Sequence, residues 1–194
     1  MKHLKLTKLF FLLGLTMIVS SGTFADEIKI KPDGKTSLNV IESTYHKLKL
    51  ENSIISINYF DVSTEQGVFT KLTIPGYAKN MAYGTPELPV KRKLIEIPAG
   101  AIPQIKILSS NIKEYDLTEL GILNKVFPVQ PPQSKSEDIH EFIYDPQAYT
   151  INSFGNDKLV NIDILGYYRS VRIARLNIFP VKYNPVTNTI RVYS

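Results

Sequence analysis

"YNPVTNTIRVYS", Tyr183 to Ser194, reads as a β-hairpin. Asn184-Pro185 sets the entry of a turn and Thr187-Asn188 sits where the chain must reverse. Beyond it the residues alternate, Ile190 and Val192 facing one way and Arg191 and Tyr193 the other, the pattern of a strand with one buried face. The second strand stops at Ser194 with no closing turn or tail, and a native chain continuing past this point is the expectation.

Working back from the hairpin, "GYYRSVRIARLNIFPVKY" (Gly166 to Tyr183) is a longer extended stretch. Val171 and Ile173 share one parity and Leu176 and Ile178 the other, which calls for a bulge near Ala174–Arg175 or burial on both faces. "SIISINYFDV" (53–62), "GVFTKLTI" (67–74), "PQIKIL" (103–108) and "KLVNIDIL" (158–165) also alternate as strands. "IKPDGKTS" (30–37) is a turn, and "TELGIL" (118–123) supplies a short turn at most. No helical period and no internal repeat emerge. The expected fold is a single all-β, antiparallel domain, a sandwich or partly open barrel, with a proline-rich surface loop at Phe127 to Phe142.

The first 25 residues stand apart. "MKHLKLTK" is basic, Leu9 to Val19 is apolar, and "TFA" before Asp26 resembles a small-residue cleavage site. The apolar run is short for a membrane span, which needs roughly 20 residues. A cleaved export signal is expected, with an uncleaved N-terminal anchor as the alternative. Cleavage after Ala25 leaves residues 26–194 as one domain and lowers the formal charge from +5 to +2, with 20 basic against 18 acidic side chains. Such a balance gives no reason to expect nucleic acid as a partner. The chain has no cysteine, so an exported domain must be held by its core and ladders, without disulfides. The same absence excludes a cysteine nucleophile and a thiolate metal site within this chain.

Little other chemistry presents itself. His46 and His140 lack ligand spacing and read as surface histidines. Glu137, Asp138, His140 and Glu141 crowd one polar loop, and Asp145, Asp157 and Asp163 form no calcium-loop signature. No cofactor or metal is expected. Lys91-Arg92-Lys93 is either a contact for an acidic partner, a processing site, or a solvated strand edge protected from sheet pairing by its lysines. The eleven tyrosines fit a sugar-binding surface or ordinary strand positions at the rim of a core. A small hydrolase would need a carboxylate pair or Ser/His cluster converging in a cleft, and a surface module would need a contiguous aromatic platform.

"GTPELPVKRKLIEIPAGA" (84–101) places a turn at Gly84-Thr85-Pro86 and starts a strand at Leu88-Pro89-Val90. Ile95 and Ile97 are expected in the core, and Pro98-Ala99-Gly100 ends the strand. Together with "FPVKYNPVTNTIRVYS", some ninety residues on, this stretch resembles the N-terminal propeptide domain of gingipain-type cysteine peptidases. The likeness covers about residues 40 to 194 and includes "FPVQPPQSK" and "GYYRSVRIARLNIFP". It implies a β-sandwich or barrel-like domain that precedes a caspase-like catalytic domain, assists its folding and keeps it inactive until cleaved during bacterial export. It implies as partner a cognate catalytic domain, in cis or in trans, with the propeptide otherwise monomeric and located in the periplasm, at the cell surface or outside the cell. Inhibition in such a family resembles substrate mimicry, a basic loop side chain entering the specificity pocket. The loop "VFPVQPPQSKSED" carries no arginine, which leaves Lys125 and Lys135 as the basic candidates. Without a catalytic cysteine the chain itself cannot be the peptidase. It is a fragment of a precursor, the product of a truncated gene, or a free-standing inhibitor; a surface β-sandwich that binds a sugar or protein is the rival reading.

Overall fold

The computed structural model describes residues 26–132, 141–155 and 158–194. Twelve strands account for their regular structure: β1 (Asp26–Lys29), β2 (Ser37–Ser43), β3 (Leu48–Ser53), β4 (Ser56–Thr64), β5 (Gly67–Thr73), β6 (Ala78–Lys79), β7 (Pro89–Glu96), β8 (Ile112–Asp116), β9 (Val160–Tyr168), β10 (Val171–Ile178), β11 (Val181–Asn184) and β12 (Thr189–Tyr193). A single 3-10 turn, Gln147–Tyr149, is the sole helical element among the described residues. All strand pairs are antiparallel. The sheets run β1-β4-β5, β11-β12-β8, β6-β7-β10-β9 and β2-β3, and none of them closes into a barrel.

The core joins the inner faces of the first two sheets. Ile28 pairs with Ile57 across β1–β4, and Tyr59 with Leu72 across β4–β5, so the alternation of these strands turns Ile28, Ile57 and Leu72 to one side. They belong to one buried cluster with Val181, Tyr183, Ile190 and Val192 of β11 and β12, and with Leu117, Ile122 and Val126 from the connecting segments. Burying each such aliphatic side chain stabilises the fold by about 1.5–3 kcal/mol. This is a sandwich-like all-β domain.

The C-terminal hairpin forms as its sequence dictates. Asn184 pairs with Thr189, and the Asn184 Oδ1 accepts the Val186 N–H at 3.1 Å, closing an Asx turn. Asn188 takes φ of +50° and its Nδ2 donates to the Ile122 carbonyl at 2.8 Å. That bond docks the hairpin on the turn at 117–121, where "TELGIL" was expected to bend. The parity change in Gly166–Tyr183 has its origin in β9: Ile173 pairs with Gly166 and Ala174 with Ile164, so Leu165 is the extra residue of a bulge opposite β10.

Two expectations fail. "PQIKIL" (103–108) is not a strand: among the described residues, 102–110 pair with no strand. The proline-rich segment does not begin at the surface either. Phe127, Pro128 and Val129 are buried, because their backbone is paired: Phe127 N–H donates to Thr70 at 2.8 Å, Val129 N–H to Thr85 at 2.8 Å, and Pro128 bridges Pro86. A buried segment whose polar backbone is satisfied incurs no desolvation penalty. The β2–β3 hairpin and β8 lay outside the strands read from the sequence.

Candidate functional site

The stretch around Gly84 builds a seam with the start and end of the proline-rich loop. Gly84, at φ +79°, donates its N–H to the Val129 carbonyl at 2.9 Å and accepts from Asp145 N–H at 3.1 Å. A Cβ at this position would stand 2.9 Å from the Asp145 nitrogen, so both conformation and space require glycine. Glu87 N–H follows, donating to the Phe127 carbonyl at 2.7 Å. At the far end of the seam the Gln130 side chain closes the loop's base. Its Nε2 donates to the Ile143 carbonyl at 2.8 Å, and its Oε1 accepts the Ile143 N–H at 2.9 Å. A side-chain amide thus acts as one rung of a ladder, clamping the chain where it leaves at Pro131 and where it returns.

Beneath the clamp lie an ion cluster and an aromatic cluster. Glu87 is 4% exposed and its carboxylate lies 3.3 Å from Lys71 Nζ and 3.5 Å from Lys79 Nζ. Lys79 also donates to the Gln130 carbonyl at 3.0 Å, and Lys71 stands 5.0 Å over the Phe127 ring. Phe69 meets Phe127, Phe142 and Tyr144, and Tyr144 meets Tyr149 at 4.8 Å between centroids. Tyr149 donates its hydroxyl to the Val126 carbonyl at 2.7 Å, and burial pushes its pKa far above the usual tyrosine range. A cleft of about 220 Å³ opens beside Glu87, lined also by Leu72, Tyr77, Lys79, Leu88 and Pro89.

The basic residues singled out in sequence fall in two places. Lys125 immediately precedes the seam. Its side chain is exposed, its carbonyl accepts the Thr70 N–H at 2.9 Å, and its Nζ lies 3.5 Å from the Tyr149 carbonyl. Lys135, with Glu137, Asp138 and His140, lies outside the described residues, on the segment the clamp brackets. Lys91-Arg92-Lys93 is on β7, paired on one side with Ile178-Asn177-Leu176 of β10. Its other side is open, since β6 pairs only with Pro89 and Val90. Lys91 Nζ donates to the Gly76 carbonyl at 2.8 Å and Arg92 Nη2 to the Lys79 carbonyl at 2.8 Å, leaving Lys93 as the exposed member. His46 is exposed beside Tyr45. Among the described residues no three His, Asp or Glu side chains converge as a metal site, and no helix is long and apolar enough to cross a membrane.

Sequence reasoning missed Glu87, Lys71, Lys79 and Gln130. Only Gly84, whose turn was legible, pointed near them; the rest depends on tertiary contacts between residues 8 to 51 positions apart, which no local pattern records.

This geometry is a framework that grips the base of a loop. Residues 26–194 match the family model described as Propeptide_C25. The chain belongs to the Propeptide_C25 family. Lys-gingipain of Porphyromonas gingivalis is 34% identical over 188 residues, a match covering 95% of this chain and 11% of that protein. Gingipain R2 of the same organism is 24% identical over 150 residues, covering 75% of this chain and 19% of that one. The chain therefore spans a small part of these curated relatives. Among solved structures, one addressing the zymogenic latency of gingipain K from Porphyromonas gingivalis superposes with a TM-score of 0.81 at 32% identity, covering 88% of this chain and 94% of that chain. A complex of the pro- and mature domains of Porphyromonas gingivalis RgpB superposes at 0.69 and 22% identity, with 80% of each chain covered, and shows the shared fold.

Proposed function

We propose that this domain is made as the propeptide of an exported gingipain-like cysteine endopeptidase, assists the folding of its catalytic domain, and holds that domain inactive. The clamp between Gln130 and Ile143 supports this reading most directly. It fixes both ends of a proline-rich excursion, and a loop offered to a cleft must be preorganised to bind without large ordering cost. Tethering supplies high effective concentration, so modest contacts suffice for latency until the tether is cut. Residues 1–25 serve as the export signal, which places the product in the periplasm, at the surface or outside the cell. The basic side chain entering the specificity pocket is Lys135 or Lys125, and Lys93 of the basic triplet contributes a contact to the partner. The chain has no cysteine to serve as the peptidase nucleophile, and it acts through binding.

The test is inhibition of mature Lys-gingipain by the purified chain, with Lys135→Ala and Lys125→Ala beside it. Saturable inhibition, weakened about tenfold or more by one of the two substitutions, is expected for an ion-paired anchor. Inhibition untouched by either would remove both lysines from the pocket, and absence of inhibition by the unsubstituted chain would overturn the latency reading.

A further inference from the structure

"IPQIKILSS", Ile102 to Ser110, has the composition of a strand and no partner. It runs from Ala101 to Asn111 without a turn or bend, and every residue in it has negative φ. Among the described residues, no backbone N–H or C=O of this segment enters a hydrogen bond. Ile102, Ile105, Ile107 and Leu108 are exposed, Ile102 at 86% and Leu108 at 60%. An apolar, β-forming backbone with unpaired groups is the kind of template that another strand adds to.

The segment is also held at both ends. Arg172 Nη1, on β10, donates to the carbonyls of Pro98 at 3.1 Å and Ala101 at 2.7 Å. At the other end Asn111 and Ser194 exchange backbone bonds of 2.9 Å each, extending the β8–β12 ladder by one pair. Suspended between two sheets, the segment has little conformational freedom left to lose when a partner pairs with it.

Resting on the propeptide reading, we propose that Gln104 to Leu108 pairs as a β-strand with an edge strand of the peptidase domain. A second copy of this chain fits poorly. An antiparallel pair centred on this segment would set Lys106 against its own copy, and like charges directly opposite are destabilising. The partner edge is therefore apolar, with a neutral or acidic residue facing Lys106.

Hydrogen exchange on the full chain, alone and with active-site-blocked mature Lys-gingipain, tests this. The amides of 104–108 exchange freely in the chain alone and slow by about tenfold or more in the complex. Proline substitution supplies the second arm, because these N–H groups donate to nothing in the chain and their loss leaves the fold intact. Successive residues of a strand point their N–H groups to opposite sides. One of Ile105→Pro and Lys106→Pro therefore weakens binding about tenfold beyond its alanine counterpart, and the other does not. Inhibition without protection of 104–108 sinks the strand pairing and leaves the propeptide reading standing. Protection that appears in the chain alone and grows with its concentration replaces the peptidase by a second copy. Neither inhibition nor protection removes both.

Discussion

Gly84 and Glu87 sit three residues apart and are needed for different reasons. Gly84→Ala brings a Cβ to 2.9 Å from the Asp145 nitrogen at a positive φ, and a cost of about 2–4 kcal/mol is expected, read from urea unfolding. Glu87→Gln keeps the volume and removes the charge that faces Lys71 and Lys79. Because both lysines reach solvent and can be rehydrated, the loss is expected below that of a fully buried broken pair, at about 1–3 kcal/mol. The tyrosines give the pH dependence. Burial, opposed by a hydrogen bond from the Val126 backbone, pushes Tyr183 up to about 12, and burial raises Tyr149 further still. Both stay neutral in the fold while the unfolded chain loses those protons near pH 10. The folded state then holds more protons, so stability is full below pH 10 and falls as pH rises toward 12, by about 1.4 kcal/mol per unit for each tyrosine. Urea midpoints at pH 8, 10 and 11 should show this. Tyr149→Phe should flatten the fall while costing about 1–2 kcal/mol at pH 8, where the Val126 carbonyl loses its donor.

At the scale of elements, the β9–β10 hairpin turns through Arg169 and Ser170, both at positive φ, 46° and 70°. This two-residue geometry favours Asn-Gly, and neither resident residue has its conformational ease. Arg169→Asn with Ser170→Gly should raise stability by about 1 kcal/mol, net of the lost Arg169 stack on Tyr168, visible as a higher thermal midpoint. Hairpins such as this one and β11–β12 were legible because alternation and turn residues lie within one short window. β2–β3 was not: Val40, Ile41 and Leu48 are exposed, so no buried face imposes a clean alternation. The segment 103–108 misled in the opposite sense, since its pattern is that of a strand and it pairs with no strand among the described residues. The register shift between Ile173 and Ala174 falls beside the bulge expected near Ala174–Arg175; that its extra residue is Leu165 of β9 was not legible, because a register shift belongs to a pair of strands.

At the scale of the whole molecule, the sandwich was legible and the loop clamp was not. Alternation records which face of a strand is buried; it says nothing of which loops meet. The seam joins residues 84–87 to 127–130 and 145, and its only local sign is a glycine. The clamp has a mechanical consequence. A single cut between Pro132 and Glu141 divides the chain into a piece holding β1 to β8 and a piece holding β9 to β12. Those pieces remain zipped together through β7 on β10 and β8 on β12, and their aliphatic side chains share one interior. A nicked domain should run as two bands under denaturing conditions and as one species in gel filtration. Scission of that loop would thus blunt whatever it inserts into a partner without shedding the body of the domain, so that disarming and departure become two separate proteolytic events.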